Sequence, residues 1–184
     1  SMGYGLPAAI GACFANGKKP MVAVESDGSL QLNLQELATL RAQKLPICLI
    51  VMNNGGYASI RSTQRNYFAG RHVGTGPEAG LLLPDLEQVA ATYGLPFRRI
   101  TDAADLAPVL KEVAGHPQAM IVDVQLTPNE ILAPKCAALP QPDGSMLSMP
   151  LEDMSPLLPL AELEAQMIVP LLPQSRAARP APPG

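Results

Sequence analysis

Met21-Val22-Ala23-Val24-Glu25-Ser26-Asp27-Gly28-Ser29 and Ile47-Cys48-Leu49-Ile50-Val51-Met52-Asn53-Asn54-Gly55-Gly56 are the two stretches whose reading decides the fold. Each is a short apolar run, rich in β-branched residues, that stops at a polar, glycine-containing turn. That is the pattern of a buried strand of a parallel sheet followed by a loop. Helical spacing flanks both runs. Leu6, Ile10 and Cys13 recur among alanines up to Asn16-Gly17, with Pro7 in the first turn, and Leu30, Leu34, Leu37 and Ala38 mark one face of a helix starting near Leu30.

The alternation continues downstream. Leu86, Val89, Ala90 and Tyr93 predict an amphipathic helix after Pro84-Asp85, and Pro96 to Ile100 reads as a strand. A helix carrying Leu106, Val109, Leu110 and Val113 begins near Asp105, because Pro108 then falls in its first turn. Met120 to Val124 supplies the last strand. Strands alternating with helices argue an α/β fold, a parallel sheet with helices on both faces, over residues 1–126. The opening Ser1-Met2-Gly3-Tyr4-Gly5 runs into a helix with no strand before it, so the domain is expected to be truncated at its N-terminus. Twelve of the twenty prolines lie beyond Thr127, so residues 127–184 are expected to form an extended, partly ordered tail with one short helix near Leu160 to Ile168.

Composition narrows the function classes. The chain has 184 residues, 47% hydrophobic and 16% charged, which fits a packed globular interior. A net charge of −3 with no basic stripe lacks the footprint of a nucleic-acid binder. No apolar stretch approaches the roughly 20 residues a membrane span requires. Cys13, Cys48 and Cys136 are odd in number, without zinc spacing and mostly in apolar runs, which suits buried thiols and a cytoplasmic setting. His72 and His116 stand apart, and neither is assigned a role.

The chemistry gathers in the turns after the first two strands. In an open parallel sheet, ligands bind beyond the carboxyl ends of the strands. Asp27 at one tip and the Asn53-Asn54 pair at the next offer hard oxygen ligands, suited to magnesium or calcium rather than zinc. Gly28 and Ser29 stand where free backbone N–H groups and the helix dipole favour an anion. Taken singly, Asp-Gly-Ser is more often a helix cap, and Asn-Asn-Gly-Gly is ordinary turn chemistry. Twenty-four residues separate the Asp-Gly turn from the Asn pair, and the combination is specific.

With that spacing the sequence resembles the thiamine-diphosphate-dependent enzymes, whose motif runs Gly-Asp-Gly, about two dozen residues, then Asn-Asn. The likeness extends over Met2-Gly3-Tyr4-Gly5-Leu6-Pro7-Ala8-Ala9-Ile10-Gly11-Ala12, Asn33-Leu34-Gln35-Glu36-Leu37 and Pro150-Leu151-Glu152-Asp153-Met154. It is similar to the cofactor-binding C-terminal domain of the acetolactate synthase and pyruvate decarboxylase superfamily, nearest to acetolactate-synthase-like proteins. The resemblance implies thiamine diphosphate and Mg2+ as cofactors, with Asp27 and Asn54 as side-chain ligands of the metal and Gly56 as a carbonyl ligand. Ser26, Gly28, Ser29 and Tyr57 would line the cofactor, and Gly28 and Ser29 would offer N–H groups to the diphosphate. Met2, with Gly3 beside it, would be the apolar wedge that keeps the cofactor bent, so that its aminopyrimidine nitrogen reaches the thiazolium C2 proton.

The resemblance also implies a 2-keto acid such as pyruvate as substrate, and a homo-oligomer, dimer or tetramer, with the site between subunits. The family's activating glutamate belongs to an N-terminal domain contributed by a partner subunit. Glu25, Glu36 and Glu152 do not match it, so no residue of this chain is assigned as catalytic. Two departures stand out. Ser26 replaces the first glycine of Gly-Asp-Gly, a small change expected to be tolerated. Tyr57-Ala58-Ser59-Ile60-Arg61 stands where acetolactate synthases carry Gln-Trp after the Asn pair, which leaves the acceptor open. Tyr57, Ile60, Arg61, Gln64 and Arg65 are candidates to meet a substrate carboxylate. The leading expectation is a carboligase that decarboxylates a 2-keto acid and joins what remains to a second carbonyl compound. A simple decarboxylase or lyase, and a cofactor-binding fragment without activity of its own, are the alternatives. A nicotinamide-binding fold is disfavoured, because no Gly-x-Gly-x-x-Gly follows a strand.

Overall fold

A computed structural model of the chain describes all residues except 116, 128, 129, 131, 132, 137, 142 and 178–184. Two compact units divide it, Ser1–Glu130 and Ile131–Gly184. The first unit holds a parallel four-stranded sheet built from β1 (Met21–Ser26), β2 (Ile47–Asn53), β3 (Phe97–Ile100) and β4 (Met120–Gln125), in the order β1-β2-β4-β3. Its helices are α1 (Gly5–Ala15), α2 (Asp27–Leu30), α3 (Leu37–Ala42), α4 (Ala58–Tyr67), α5 (Leu86–Tyr93) and α6 (Leu106–Gly115). The α/β alternation expected of the sequence is what the chain adopts.

The continuous apolar runs are explained by a sheet covered on both faces. Ile47, Leu49 and Val51 of β2 and Ile121 of β4 project to one side, into a cluster with Leu6, Ile10 and Cys13 of α1, Leu37 and Leu40 of α3, and Val89 and Ala90 of α5. Cys48, Met120 and Val122 project to the other side, where they meet Ile100 and Val113 of α6. Burial of each fully covered Ile or Leu stabilises the fold by about 1.5–3 kcal/mol, so these two strands anchor the unit.

Three local expectations need correction. β1 is covered on one face only. Val22 and Val24 are 58% and 63% exposed, because β1 ends the sheet and α6 packs over β2, β3 and β4. The helix after β1 starts at Asp27 rather than near Leu30 and is not one helix. A 3-10 segment, Gln31–Glu36, follows α2, with Asn33 at φ −139° and ψ 35°. That break turns the apolar face, so Leu37 and Leu40 are buried while Ala38 is exposed. Finally, Cys136 is exposed, whereas Cys13 and Cys48 are buried, and burial pushes the Cys48 thiol up to about 11.

The second unit is more ordered than its proline content suggests. β5 (Ala138–Pro140) and β6 (Met146–Ser148) form an antiparallel hairpin, and α7 (Leu160–Gln166) and α8 (Pro173–Ala177) follow. The hairpin turn is made by Asp143, whose carboxylate accepts from the Ser145 N–H at 2.9 Å, and by Gly144 at φ 83°. No helix among the described residues is long and apolar enough to cross a membrane.

One buried polar cluster ties the strand ends together. Asp123 of β4 is fully buried and accepts from Asn53 Nδ2 at 3.0 Å, Arg99 Nε at 3.0 Å and Gln125 Nε2 at 2.8 Å. Arg99 reaches on to Asp85, the N-cap of α5, at 2.8 Å. Removing the carboxylate would strand donors from three elements. Asp123→Ala is therefore expected to lower unfolding free energy by about 3 kcal/mol in urea titrations. A loss under about 0.5 kcal/mol, the range of ordinary surface changes, would show that the cluster does not hold the sheet.

Candidate cofactor and metal site

The parallel register of β1 and β2, which sets Ser26 opposite Met52, brings the two polar turns side by side. Asp27, the first residue of α2, is 6% exposed, and its Oδ2 accepts from the Gly56 N–H at 2.6 Å. The other oxygen, Oδ1, is buried with no hydrogen-bond partner. Asn54 Oδ1 is in the same condition. A buried acceptor without a donor normally costs about 1–3 kcal/mol. Two of them on adjacent strand tips call for a ligand.

Asn53 is a different residue from its neighbour. Its Nδ2 donates to Asp123, and its Oδ1 accepts from the Gly55 N–H at 3.2 Å, so both ends of the amide are engaged. The carbonyls of the turn divide in the same way. Asn53 O accepts from Leu126 N at 2.8 Å, Asn54 O from Arg61 Nη2 at 2.7 Å, and Gly55 O from Arg61 Nη1 at 3.0 Å. For Gly56 O no donor is recorded among the described residues. It faces Gly28, where an added Cβ would stand 3.0 Å from it. One carboxylate oxygen, one amide oxygen and one carbonyl oxygen are thus left over. All three are hard oxygen donors, although no three His, Cys, Asp or Glu side chains gather among the described residues. Burial raises the Asp27 carboxyl above its ordinary value, opposed by the N–H groups of Gly56, Gly28 and Asn54. A divalent cation would favour the charged form.

The start of α2 offers backbone N–H groups next to these oxygens. With Ser26 as N-cap, the N–H groups of Gly28 and Ser29 stand in the first turn, which has no preceding carbonyls to receive them. Ser26 has φ −103° and ψ 156°, extended backbone that any residue adopts, so a side chain there introduces no strain. Gly28 admits nothing larger, because an added Cβ would stand 2.6 Å from the Tyr57 ring.

The same helix start holds the Met2 loop. Gly3 N donates to Ser29 Oγ at 2.7 Å, and Gly3 O accepts from Asn33 Nδ2 at 2.6 Å. The peptide groups around Gly3 are pinned on both sides, with Gly3 at φ 81° and 2.8 Å between its added Cβ and Leu32 Cβ. Met2, beside it, is 45% exposed. Glu25 Oε1 accepts from Ser26 N at 3.1 Å. Its Oε2 is buried without a partner and lies against Gly5, where any side chain would overlap it.

A cavity of about 160 Å³ adjoins the turns, lined by Asp27, Gln31, Asn53 and Gly55 and by an apolar wall that includes Leu30 and Leu81; Asn54 and Gly56 do not line it.

Arg61 is the main correction to the substrate candidates. It is 3% exposed and donates to main-chain carbonyls, so it does not wait for a carboxylate. Gln64 is likewise engaged, bracketing Val73 through both its carbonyl and its amide. Tyr57 packs on Gly28, and Ile60 is 39% exposed. His72 Nε2 is buried without a partner, and His116 lies outside the described residues. Sequence reading missed the roles of Asn33, Arg61 and Thr75, the last of which accepts from Tyr57 N at 2.9 Å. An asparagine inside a helical pattern was the available signal for Asn33.

Comparison with known proteins identifies the family. Residues 1–124 match the family described as "Thiamine pyrophosphate enzyme, C-terminal TPP binding domain". The chain is 32% identical over 137 residues to the acetolactate synthase large subunit of Porphyra purpurea, covering 74% of this chain and 23% of that protein. It is 32% identical over 138 residues to the chloroplastic acetolactate synthase of Arabidopsis thaliana, covering 73% and 21%. The chain thus spans about a quarter of the length of these relatives. In fold it is similar to a thiamine diphosphate-dependent 4-hydroxybenzoylformate decarboxylase of Rhodococcus jostii, with a TM-score of 0.58 at 24% identity over 70% of this chain and 23% of that one. The chain belongs to the thiamine pyrophosphate enzymes, as their C-terminal TPP-binding domain, and is related to acetolactate synthase.

Proposed function

We propose that this domain holds thiamine diphosphate through one Mg2+ ligated by Asp27 Oδ1, Asn54 Oδ1 and Gly56 O, with phosphate oxygens and water completing the octahedron. The observation that carries this reading is the pair of buried, partnerless oxygens on Asp27 and Asn54. Hydrocarbon neighbours cannot satisfy them, and a cation satisfies both at once. The N–H groups of Gly28 and Ser29 receive the diphosphate, while Met2, fixed by the pinned Gly3, supports the bent cofactor from its apolar side. Ser26 and Tyr57 complete the wall.

Bound thiamine diphosphate supplies a carbon nucleophile for 2-keto acids. The chain's own residues bind it, orient it and hold its charge. We assign the whole protein as a carboligase that decarboxylates a pyruvate-like 2-keto acid and joins the remainder to a second carbonyl compound. Support comes from the acetolactate synthases among its relatives. The site is open on the Met2 side, where Tyr4 and Leu32 are also exposed, which supports a homo-oligomer whose second subunit closes it and supplies the activating glutamate.

Calorimetric titration with Mg2+ and thiamine diphosphate tests the metal ligands. Asp27→Ala is expected to abolish Mg2+-dependent binding and Asn54→Ala to weaken it at least tenfold; an unchanged affinity in Asp27→Ala would refute the assignment. A second expectation concerns activity. Supplied with thiamine diphosphate, Mg2+ and pyruvate, residues 1–184 alone release no carbon dioxide above background. Turnover by these residues alone would contradict the assignment of the activating group to another subunit.

A further inference from the structure

Arg61 stands out because its guanidinium is buried and makes no ion pair among the described residues, although the Glu78 carboxylate borders the same space beside Gly76. It is 3% exposed, and its Nε has no hydrogen-bond partner among the described residues. A buried cation is retained only where its surroundings replace water. Here three carbonyl oxygens do so, Asn54 O at 2.7 Å, Gly55 O at 3.0 Å and Thr75 O at 2.9 Å. Two of the three belong to the turn that carries the proposed metal ligands, and the third anchors that turn, since Thr75 O also accepts from Tyr57 N.

We infer that Arg61 is a positioning residue that selects the metal ligands by drawing the carbonyls of Asn54 and Gly55 toward itself, leaving Gly56 O alone to face the cation. The inference rests on the metal reading given above. The Gly56 carbonyl shares its planar peptide group with Tyr57 N, which donates to Thr75 O, itself held by Arg61, so the same clamp sets the direction of Gly56 O. A planar guanidinium presents donors along fixed directions and can hold two carbonyls at once. An ammonium group cannot reproduce that geometry. Space around the clamp is restricted. A Cβ at Gly56 would overlap Thr75 O, and one at Gly76 would stand 2.7 Å from Arg61 Nη1.

The consequence is a preference for one kind of cation. Mg2+ requires near-octahedral ligands, whereas Ca2+ tolerates irregular shells with extra carbonyls. A loosened turn would offer Asn54 O and Gly55 O as additional ligands and so penalise Mg2+ more than Ca2+.

The test measures Mg2+ and Ca2+ dissociation constants in the presence of thiamine diphosphate for the full chain, Arg61→Lys and Arg61→Gln, together with the melting temperature of each without metal. The expected result is a loss of about 10- to 100-fold in Mg2+ affinity, the range of changes behind metal ligands, with Ca2+ affinity changed less than about threefold. Both variants should still unfold cooperatively without metal, at a melting temperature lowered by the lost carbonyl hydrogen bonds. Equal losses for both ions, or no loss for Mg2+, would overturn the inference. Variants that no longer fold without metal would also overturn it, because the guanidinium would then support the domain and not the turn. If the unaltered chain binds neither ion, the metal reading itself fails, an outcome separate from these.

Discussion

The short hydrogen bond from the Gly56 N–H to Asp27 Oδ2 is the constraint on which the site depends. It joins the tips of two parallel strands through a carboxylate, which has two oxygens, and so uses one while turning the other inward. The sheet makes the bond reachable, because β1 and β2 pair in register to Ser26 and Met52. The core makes the sheet rigid, through the buried residues of β2 and β4 on both faces. The carboxylate is then a structural link and, in the reading proposed above, a metal ligand. Its raised pKa reflects how little water remains around it.

From that bond outward, the molecule disposes of its polar groups one at a time. Asp123 takes the Asn53 amide, Leu126 takes the Asn53 carbonyl, and Arg61 takes the next two carbonyls. Ser29 and Asn33 take the two sides of the Gly3 backbone. Among the described residues, the atoms left without a partner include Asp27 Oδ1 and Asn54 Oδ1 near the first turn of α2, besides Glu25 Oε2, Arg61 Nε and His72 Nε2. Such selective satisfaction is the ordinary way a fold prepares a binding site, because buried polar groups that lack partners are otherwise removed.

Much of this was legible in the sequence, and the reasons differ by feature. The β2 run and its Asn53-Asn54-Gly55-Gly56 turn announce a central strand, since only a strand covered on both faces is apolar at every position. That Asp27 and the Asn53-Asn54 pair end neighbouring strands was legible in the strand-and-turn pattern, whereas the choice of Asn54 came from the resemblance alone. The single-sided cover of β1 was not, since Val22 and Val24 look alike in a buried and an exposed strand. The hairpin of the second unit was hidden by prolines, although Asp143-Gly144 is itself turn chemistry. Arg61 was read as a candidate for a substrate carboxylate, because a guanidinium that serves main-chain carbonyls leaves no pattern in side-chain types. Asn33 shows the same limit, as its partner is the backbone of a loop thirty residues earlier.

The most direct test is anomalous diffraction from crystals grown with thiamine diphosphate and Mn2+ in place of Mg2+. The expected result is a single manganese peak at about 2.0–2.3 Å from Asp27 Oδ1, Asn54 Oδ1 and Gly56 O, with the remaining positions filled by phosphate and water oxygens. A cofactor-loaded crystal whose manganese lies elsewhere, or in which Asp27 and Asn54 stay without a metal, would contradict the assignment of these two strand tips as one site.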